Sequence, residues 1–256
     1  ASSIRRLISV EEKISKFSAG IRSEFGVKKI ICSKANLLLP NTKAEATLIE
    51  EAFQISSSTI NVVPNGVEER FAKADASFFT EKTGLKDFIL FAGQASAPRK
   101  NILSLIKAVE DIPEPLVIIG SFNNSEYANK CVELASLNQN IHLFETQAHD
   151  SDFLSSAYAA CHTFVLPSQF ETPGISAMEA ALAGANIVIT EVGGTRQYFE
   201  NHAEYVSPYS ITSIKNGILN SLKKNASDSL KNHISANYLW KNVAQLTFEA
   251  YKSVLA

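Results

Sequence analysis

The chain is short of cysteine, has one methionine and one tryptophan, and carries no excess of either charge. Its three cysteines, Cys32, Cys131 and Cys161, lie far apart, and none belongs to a C-x-x-C pair. That pattern excludes a disulfide scaffold and a zinc-ligand spacing. We expect three buried, reduced thiols, as in a cytoplasmic compartment. Lys and Arg number 24 against 26 Asp and Glu, a net charge of −2, which speaks against a protein that coats nucleic acid with a basic face. The longest apolar runs, at 88–92 and 116–119, fall far short of the ~20 residues that span a bilayer. The opening Ser2-Ser3-Ile4-Arg5-Arg6 is polar and basic, with no apolar core behind it, so no secretory leader is expected. Ala1 in place of Met points to a trimmed start.

What is present points to an α/β fold. The 256 residues are 45% hydrophobic, enough for one large domain or two small ones. Ile4, Leu7, Ile8, Ile14, Phe17, Ile21 and Phe25 recur at helical spacing, with Gly20 and Gly26 as weak points. Leu37-Leu38-Leu39 is ended by Pro40, and Thr42 with Glu45 predicts a capping box opening a helix to about Phe53. A short strand is expected at 60–63, and Pro64-Asn65-Gly66 is a turn signal. From about residue 85 the pattern is regular. Apolar runs at 88–92, 116–119, 141–144, 163–166 and 187–190 alternate with amphipathic stretches at 102–110, 125–137, 152–160 and 175–183. Continuous apolar strands between helices predict a Rossmann-like parallel sheet with helices on both faces. A long amphipathic helix is expected over about 235–254. The division that follows is an N-terminal helical and strand fragment over 1–65, a Rossmann-like domain over 66–234 and a returning helix over 235–256.

Ligands of such sheets bind beyond the carboxyl ends of the strands, where loops enter helix N-termini. Two loops there carry chemistry. Gly93 permits close backbone approach after the strand at 88–92, and Arg99-Lys100 stand before a helix that Asn101 is expected to cap. Two cations beside a helix end suit an anion such as a diphosphate, although a lone Arg-Lys pair also fits a solvated loop tip. In the second loop, Pro173-Gly174 breaks the chain before a helix from about Ile175. The first amides of that helix, around Gly174, Ile175 and Ser176, lack internal partners and can bind phosphate oxygens. Glu171 lies in the loop and Glu179 on the helix. Two such acids could be a glycosidase pair ~5–9.5 Å apart, but eight residues of helix would span ~12 Å, and each acid also fits a plain structural role. Gly193-Gly194 fits a plain turn or a close approach beside a ligand.

Glu171, seven residues, Glu179, then Ala180-Ala181-Leu182-Ala183-Gly184, an apolar strand and Gly193-Gly194 resemble the donor-binding half of the GT-B retaining glycosyltransferases of group 1, or family 4. Pro64-Asn65-Gly66-Val67, Pro98-Arg99-Lys100-Asn101 and the terminal aromatics Trp240 and Tyr251 add to the resemblance, which covers about residues 36–256. It implies the C-terminal half of a GT-B fold. By it, Glu179 grips the ribose hydroxyls of a nucleotide and Glu171 lies against the transferred sugar. Gly174, Ile175 and Ser176 hold the diphosphate beside Gly93, and Lys100 with Arg99 neutralise the leaving group. A UDP- or GDP-linked sugar is then substrate, with no metal and no cofactor. The acceptor is a glycan or lipid-linked saccharide, nucleic acid is no partner, and a further N-terminal domain is expected. The place of action is cytoplasmic, peripheral to a membrane at most. The chain departs from the family pattern at Gln94, Thr172-Pro173 and Gln197. An inactive nucleotide-sugar-binding module and a sugar-nucleotide epimerase of the same architecture are the competing expectations.

Overall fold

The computed structural model of the chain describes residues 23–225 and 228–255. They fall into two compact units, one of residues 64–245 and one formed by the residues up to 63 together with those from 246 onward. In chain order the helices are α1 (Glu24–Lys34), α2 (Lys43–Phe53), α3 (Ser77–Thr83), α4 (Ile102–Ala108), α5 (Glu126–Ser136), α6 (Asp152–Ala160), α7 (Ile175–Ala183), α8 (Thr195–Phe199), α9 (Ile211–Leu222), α10 (Asp228–Asn237) and α11 (Trp240–Leu255). The strands are β1 (Ile89–Ala92), β2 (Leu116–Ile119), β3 (Ile141–Phe144), β4 (Thr163–Leu166), β5 (Asn186–Thr190) and β6 (Glu204–Val206).

In the larger unit the strands form one sheet in the order β3-β2-β1-β4-β5-β6, with every pair parallel. Helices cover both faces, so the expected Rossmann-like architecture is present. The physical reason is visible in the strands. All side chains of β1, β2 and β4 are buried, because a parallel sheet packed on both sides has no solvent face. Serines time the helix starts: the hydroxyls of Ser125, Ser151 and Ser210 each accept a backbone N–H three residues on, at 3.2, 3.2 and 3.1 Å, satisfying donors that the first turn leaves free. Strand order reverses between β1 and β4, which opens a crevice beyond their carboxyl ends.

Several expectations change. A sixth strand, β6, lies at the sheet edge beyond the five legible apolar runs. The helix expected from 235 is two helices, α10 and α11, broken at Tyr238–Leu239. There the backbone turns aside to pair with Val67: Val67 N–H donates to Tyr238 O at 2.8 Å and Trp240 N–H to Val67 O at 3.1 Å. Gly66 has to be glycine at this junction, since a Cβ would lie 2.7 Å from the Trp240 ring. Cys131 and Cys161 are buried as expected, while Cys32 is only partly so.

In the smaller unit, α1 starts at Ser23, whose hydroxyl accepts from Gly26 N–H at 3.2 Å. Gly26 thus sits within the first turn instead of breaking it. The helical pattern before residue 23 lies outside the described residues. The capping box of α2 forms as expected on one side, Glu45 N–H to Thr42 Oγ1 at 3.1 Å. The Glu45 carboxylate accepts from Asn41 N–H at 2.7 Å, one residue earlier than the standard box. The apolar run at 37–39 and the strand expected at 60–63 meet only in a single parallel bridge, Leu38 to Ile60.

Leu90 is fully buried in the central strand. Leu90→Ala is expected to lower stability by about 3 kcal/mol, read as a fall in the urea midpoint at unchanged slope.

Candidate functional site

The crevice is walled by the loop after β1 on one side and the loop after β4 on the other. In the first, Pro98–Lys100 makes one 3₁₀ turn and Asn101 adopts a left-handed conformation, φ 62°. Asn101 does not cap α4, contrary to expectation. Its amide is buried and donates to Pro167 O at 3.1 Å and Pro208 O at 2.7 Å. The side chain therefore clamps the β1 loop to the segments following β4 and β6. Gln169 N–H adds a bond to Arg99 O at 2.8 Å.

Across the crevice, Glu171 is almost fully buried. Its backbone pairs with the glycine loop after β5: Glu171 N–H donates to Val192 O at 3.2 Å and Gly194 N–H to Glu171 O at 2.9 Å. Gly193, at φ 111°, lies so close that a Cβ would stand 1.9 Å from Glu171 O. The double glycine is thus a close approach of two backbones, and the plain-turn reading falls. The Glu171 carboxylate accepts from Lys100 Nζ, with Arg99 at 3.8 Å. Lys100 is mostly buried and Arg99 half-exposed. The structure therefore brings Arg99, Lys100 and Glu171 together from two loops.

Gly174 follows in a left-handed conformation, φ 70°, and starts α7 without any side-chain cap. Gly174 O accepts from Ala177 and Met178 N–H at 2.9 and 3.1 Å, which leaves the first-turn amides of Ile175 and Ser176 aimed outward. Small side chains at Ala177, Ala180 and Ala181 are fully buried and let α7 settle on the sheet.

One turn further, Glu179 enters a cavity of about 390 Å³ lined by Gly93, Ile119, Thr146, His149, Tyr158 and Ser176 among others. Glu179 is buried, and both its oxygens are engaged. Oε1 accepts from His149 Nε2 at 2.7 Å and Oε2 from Tyr158 OH at 3.0 Å. Burial pushes its pKa up from the usual 4.5, and the bonds from His149 and Tyr158 with the Arg70 charge oppose that rise only in part. Burial also drives the Tyr158 hydroxyl pKa well above its ordinary value, aided by the Glu179 charge.

The network continues outward. His149 Nδ1 lies 3.6 Å from Glu68, Arg70 donates to Glu68 at 2.8 Å and to His149 O, and Phe71 meets both the His149 and Tyr158 rings edge-on at 5.6 Å. Sequence reasoning missed His149, Tyr158, Glu68 and Arg70. A signal existed for His149, since it lies in the loop after β3, on the same carboxyl edge as the other site loops. None existed for Tyr158, whose spacing on α6 is that of any core residue.

Glu171 and Glu179 have separate partners and share none, which disfavours a glycosidase-type carboxylate pair. The crevice offers two cations, uncapped helix amides and, about 6 Å further along α7, a buried carboxylate able to accept hydroxyl protons. That set suits a ligand with an anionic part and a hydroxyl-bearing part.

Residues 73–240 match the family described as "Glycosyl transferases group 1". An uncharacterized glycosyltransferase of Methanocaldococcus jannaschii is 27% identical over 220 residues, covering 78% of this chain and 55% of that protein. The serotype-specific mannosyltransferase WbdA of Escherichia coli is 24% identical over 250 residues, covering 91% of this chain and 31% of that protein. The chain thus spans about half, or less, of the length of these relatives. The solved structure of Anabaena HepE in complex with UDP and glucose is similar at TM-score 0.76 and 18% identity, covering 90% of this chain and 68% of that one, a likeness of fold. Among the described residues, no helix is long and apolar enough to cross a membrane.

Two outcomes test this geometry. Gly193→Ala must displace the Glu171 backbone and is expected to cost at least ~2 kcal/mol in urea unfolding. Because the folded chain holds the Glu179 proton to a higher pH than the unfolded chain does, stability falls as pH rises through the interval between the two pKa values. Glu179→Gln lacks that fall. The stability of wild type relative to the variant should decline as pH is raised from about 4 and then level off, and a difference constant with pH would contradict it.

Proposed function

The chain belongs to the group 1 glycosyl transferases, and from that premise we propose that it binds a nucleoside diphosphate sugar and moves the sugar to a hydroxyl of a glycan or lipid-linked saccharide with retention of configuration. The observation that carries the proposal is that one strand-order reversal gathers a basic loop, paired through Lys100 to Glu171, and a second buried carboxylate, Glu179, that opens on a cavity. In this reading Glu179 accepts hydrogen bonds from the ribose hydroxyls, because an ionised carboxylate is an acceptor only. The amides of Ile175 and Ser176, with Gly174 as the bend before them, take the diphosphate at the positive end of α7. About 6 Å of helix between these amides and Glu179 matches the span from the phosphates of a nucleoside diphosphate to its ribose hydroxyls. Gly93, with no side chain, lets the nucleotide lie against the end of β1.

Chemistry follows from where charge develops. As the bond from the sugar's anomeric carbon to the diphosphate oxygen breaks, negative charge grows on the leaving group. Lys100 and Arg99, held in place before the reaction, stabilise that charge more than the ground state, which lowers the barrier. In the free chain Lys100 is engaged by Glu171, so the diphosphate competes with a carboxylate for the same ammonium. Glu171 then faces the transferred sugar and accepts from its hydroxyls. No residue of the site stands as a covalent nucleophile, which favours attack by the acceptor on the face that the leaving group vacates, the departing phosphate taking the proton. Acceptor contacts belong to parts of the full-length protein beyond this chain, and the reaction is placed in the cytoplasm, at most peripheral to a membrane.

Calorimetry with UDP, GDP and their sugars tests the reading. One nucleotide should bind the wild type, and Glu179→Ala should weaken it about 10- to 100-fold. Lys100→Ala should weaken the diphosphate more than the nucleoside alone. Silence from every nucleotide would sink the proposal. Binding by this chain without sugar transfer by the full-length protein would favour the inactive module.

A further inference from the structure

Away from the crevice, three potential ligands converge between the corner that joins α8 to β6 and the helix α10. One donor atom each from Glu200, His202 and His233 lies within 4.8 Å of the other two. We propose that these three side chains form a binding site for a divalent cation of the zinc type, completed by water and serving to staple α10 to the α8–β6 corner. The inference stands apart from the sugar-transfer reading. No C-x-x-C or His-x-x-His spacing announces the cluster, because His233 comes from α10 and its two partners from the corner between α8 and β6.

The first support is the state of the imidazoles. His233 Nε2 donates to Tyr198 O at 3.0 Å, since a carbonyl can only accept. The proton is therefore on Nε2, and the lone pair on Nδ1 faces Glu200 Oε2 at 3.9 Å. His202 Nδ1 lies 3.3 Å from Ser229 Oγ, which leaves Nε2 as its ligand atom. Each imidazole thus has an oxygen on the nitrogen opposite to the proposed metal bond, the arrangement that fixes ring orientation in metal sites. One competitor is present: Asn237 Nδ2 is 3.5 Å from His233 Nδ1, the outer limit of a hydrogen bond, and its better bond is to His233 O at 2.9 Å. A metal displaces only the weaker contact.

The second support is distance. Two imidazoles on one tetrahedral zinc, with Zn–N ~2.0–2.1 Å, place their ring centres about 5.2 Å apart. The His202 and His233 ring centres are 5.3 Å apart. Tetrahedral ligand atoms lie about 3.3 Å from one another, so Glu200 has to close in on His233 by roughly half an ångström from 3.9 Å, and no pair of the three donor atoms, all within 4.8 Å, has to close by more than ~1.5 Å, a movement within reach of rotamer changes of the exposed Glu200 side chain. Two histidines and one carboxylate with water in the fourth position is a zinc donor set. The site has a consequence for the larger unit, because α10 packs on α7. A cation at this corner would hold in place the helix that backs the Glu179-bearing one.

The test uses the whole chain, freed of metal by a chelator and titrated with zinc chloride in calorimetry, with Co²⁺ absorption as a second readout. The expected result is one equivalent bound, a tetrahedral Co²⁺ spectrum and a rise in the unfolding temperature with zinc. Glu200→Gln and His202→Ala should each weaken binding at least ~10-fold and abolish the thermal shift. Both positions are solvent-accessible, so these variants keep the fold where His233→Ala could disturb it. Absence of stoichiometric binding, or binding undiminished in both variants, overturns the proposal.

Discussion

The candidate site depends on the placement of one residue, Glu171. Its backbone is sewn to the loop after β5 by the contacts with Val192 and Gly194, and its carboxylate is tied to Lys100 in the loop after β1. Three loops that leave three different strands are thereby held in register around one crevice. Gly193 makes this possible, since no side chain fits where its backbone passes Glu171. Asn101 reinforces the same assembly from the other side by bonding the ends of the β4 and β6 segments. The crevice is thus built of crossed backbone and buried polar contacts, and its shape does not rely on mobile loop side chains.

Electrostatics in this protein is local. A net charge of −2 over the chain gives no long-range pull on an anion. What attracts an anion is a pair of adjacent cations and an uncapped helix start. The opposite problem, a buried carboxylate at Glu179, is met by direct hydrogen bonds from His149 and Tyr158 and by the charge of Arg70, which Glu68 holds in place. The bonds from His149 and Tyr158 and the Arg70 charge offset burial only partly, so the Glu179 pKa stays above its ordinary value. A buried carboxylate with a raised pKa at the wall of a cavity marks a candidate ligand contact.

Much of the fold was legible in the sequence. Strands β1 to β5 lie where the apolar runs are; in β1, β2 and β4, and nearly all of β5, burial on both faces forces that composition, while β3 at the sheet edge is only partly buried and still presents Ile141, Leu143 and Phe144. Strand β6 was not legible: three residues, Glu204-Tyr205-Val206, at a sheet edge carry no apolar run. The break at Tyr238–Leu239 was hidden because helical spacing continues through it, and its cause is a partner at Val67 far away in sequence. In the site, the residues in the two Gly- and Pro-marked loops could be named, since those loops must lie at the carboxyl edge of the sheet. The ion pair of Lys100 with Glu171 spans 71 residues and is a product of strand order. The place of His149 in the loop after β3 was legible, but its pairing with Glu179 was not, since only the folded sheet brings that loop to the side of α7.

On the proposed reading, the start of α7 and the end of β1 together seat the diphosphate of a nucleotide. Backbone hydrogen exchange measured with and without saturating UDP or GDP tests it most directly. Slowed exchange is expected in the segments 91–101 and 172–180, with the Ile175 and Ser176 amides the most affected, and in the His149 loop. Unchanged exchange in those segments, or slowing confined to other parts of the chain, would contradict it.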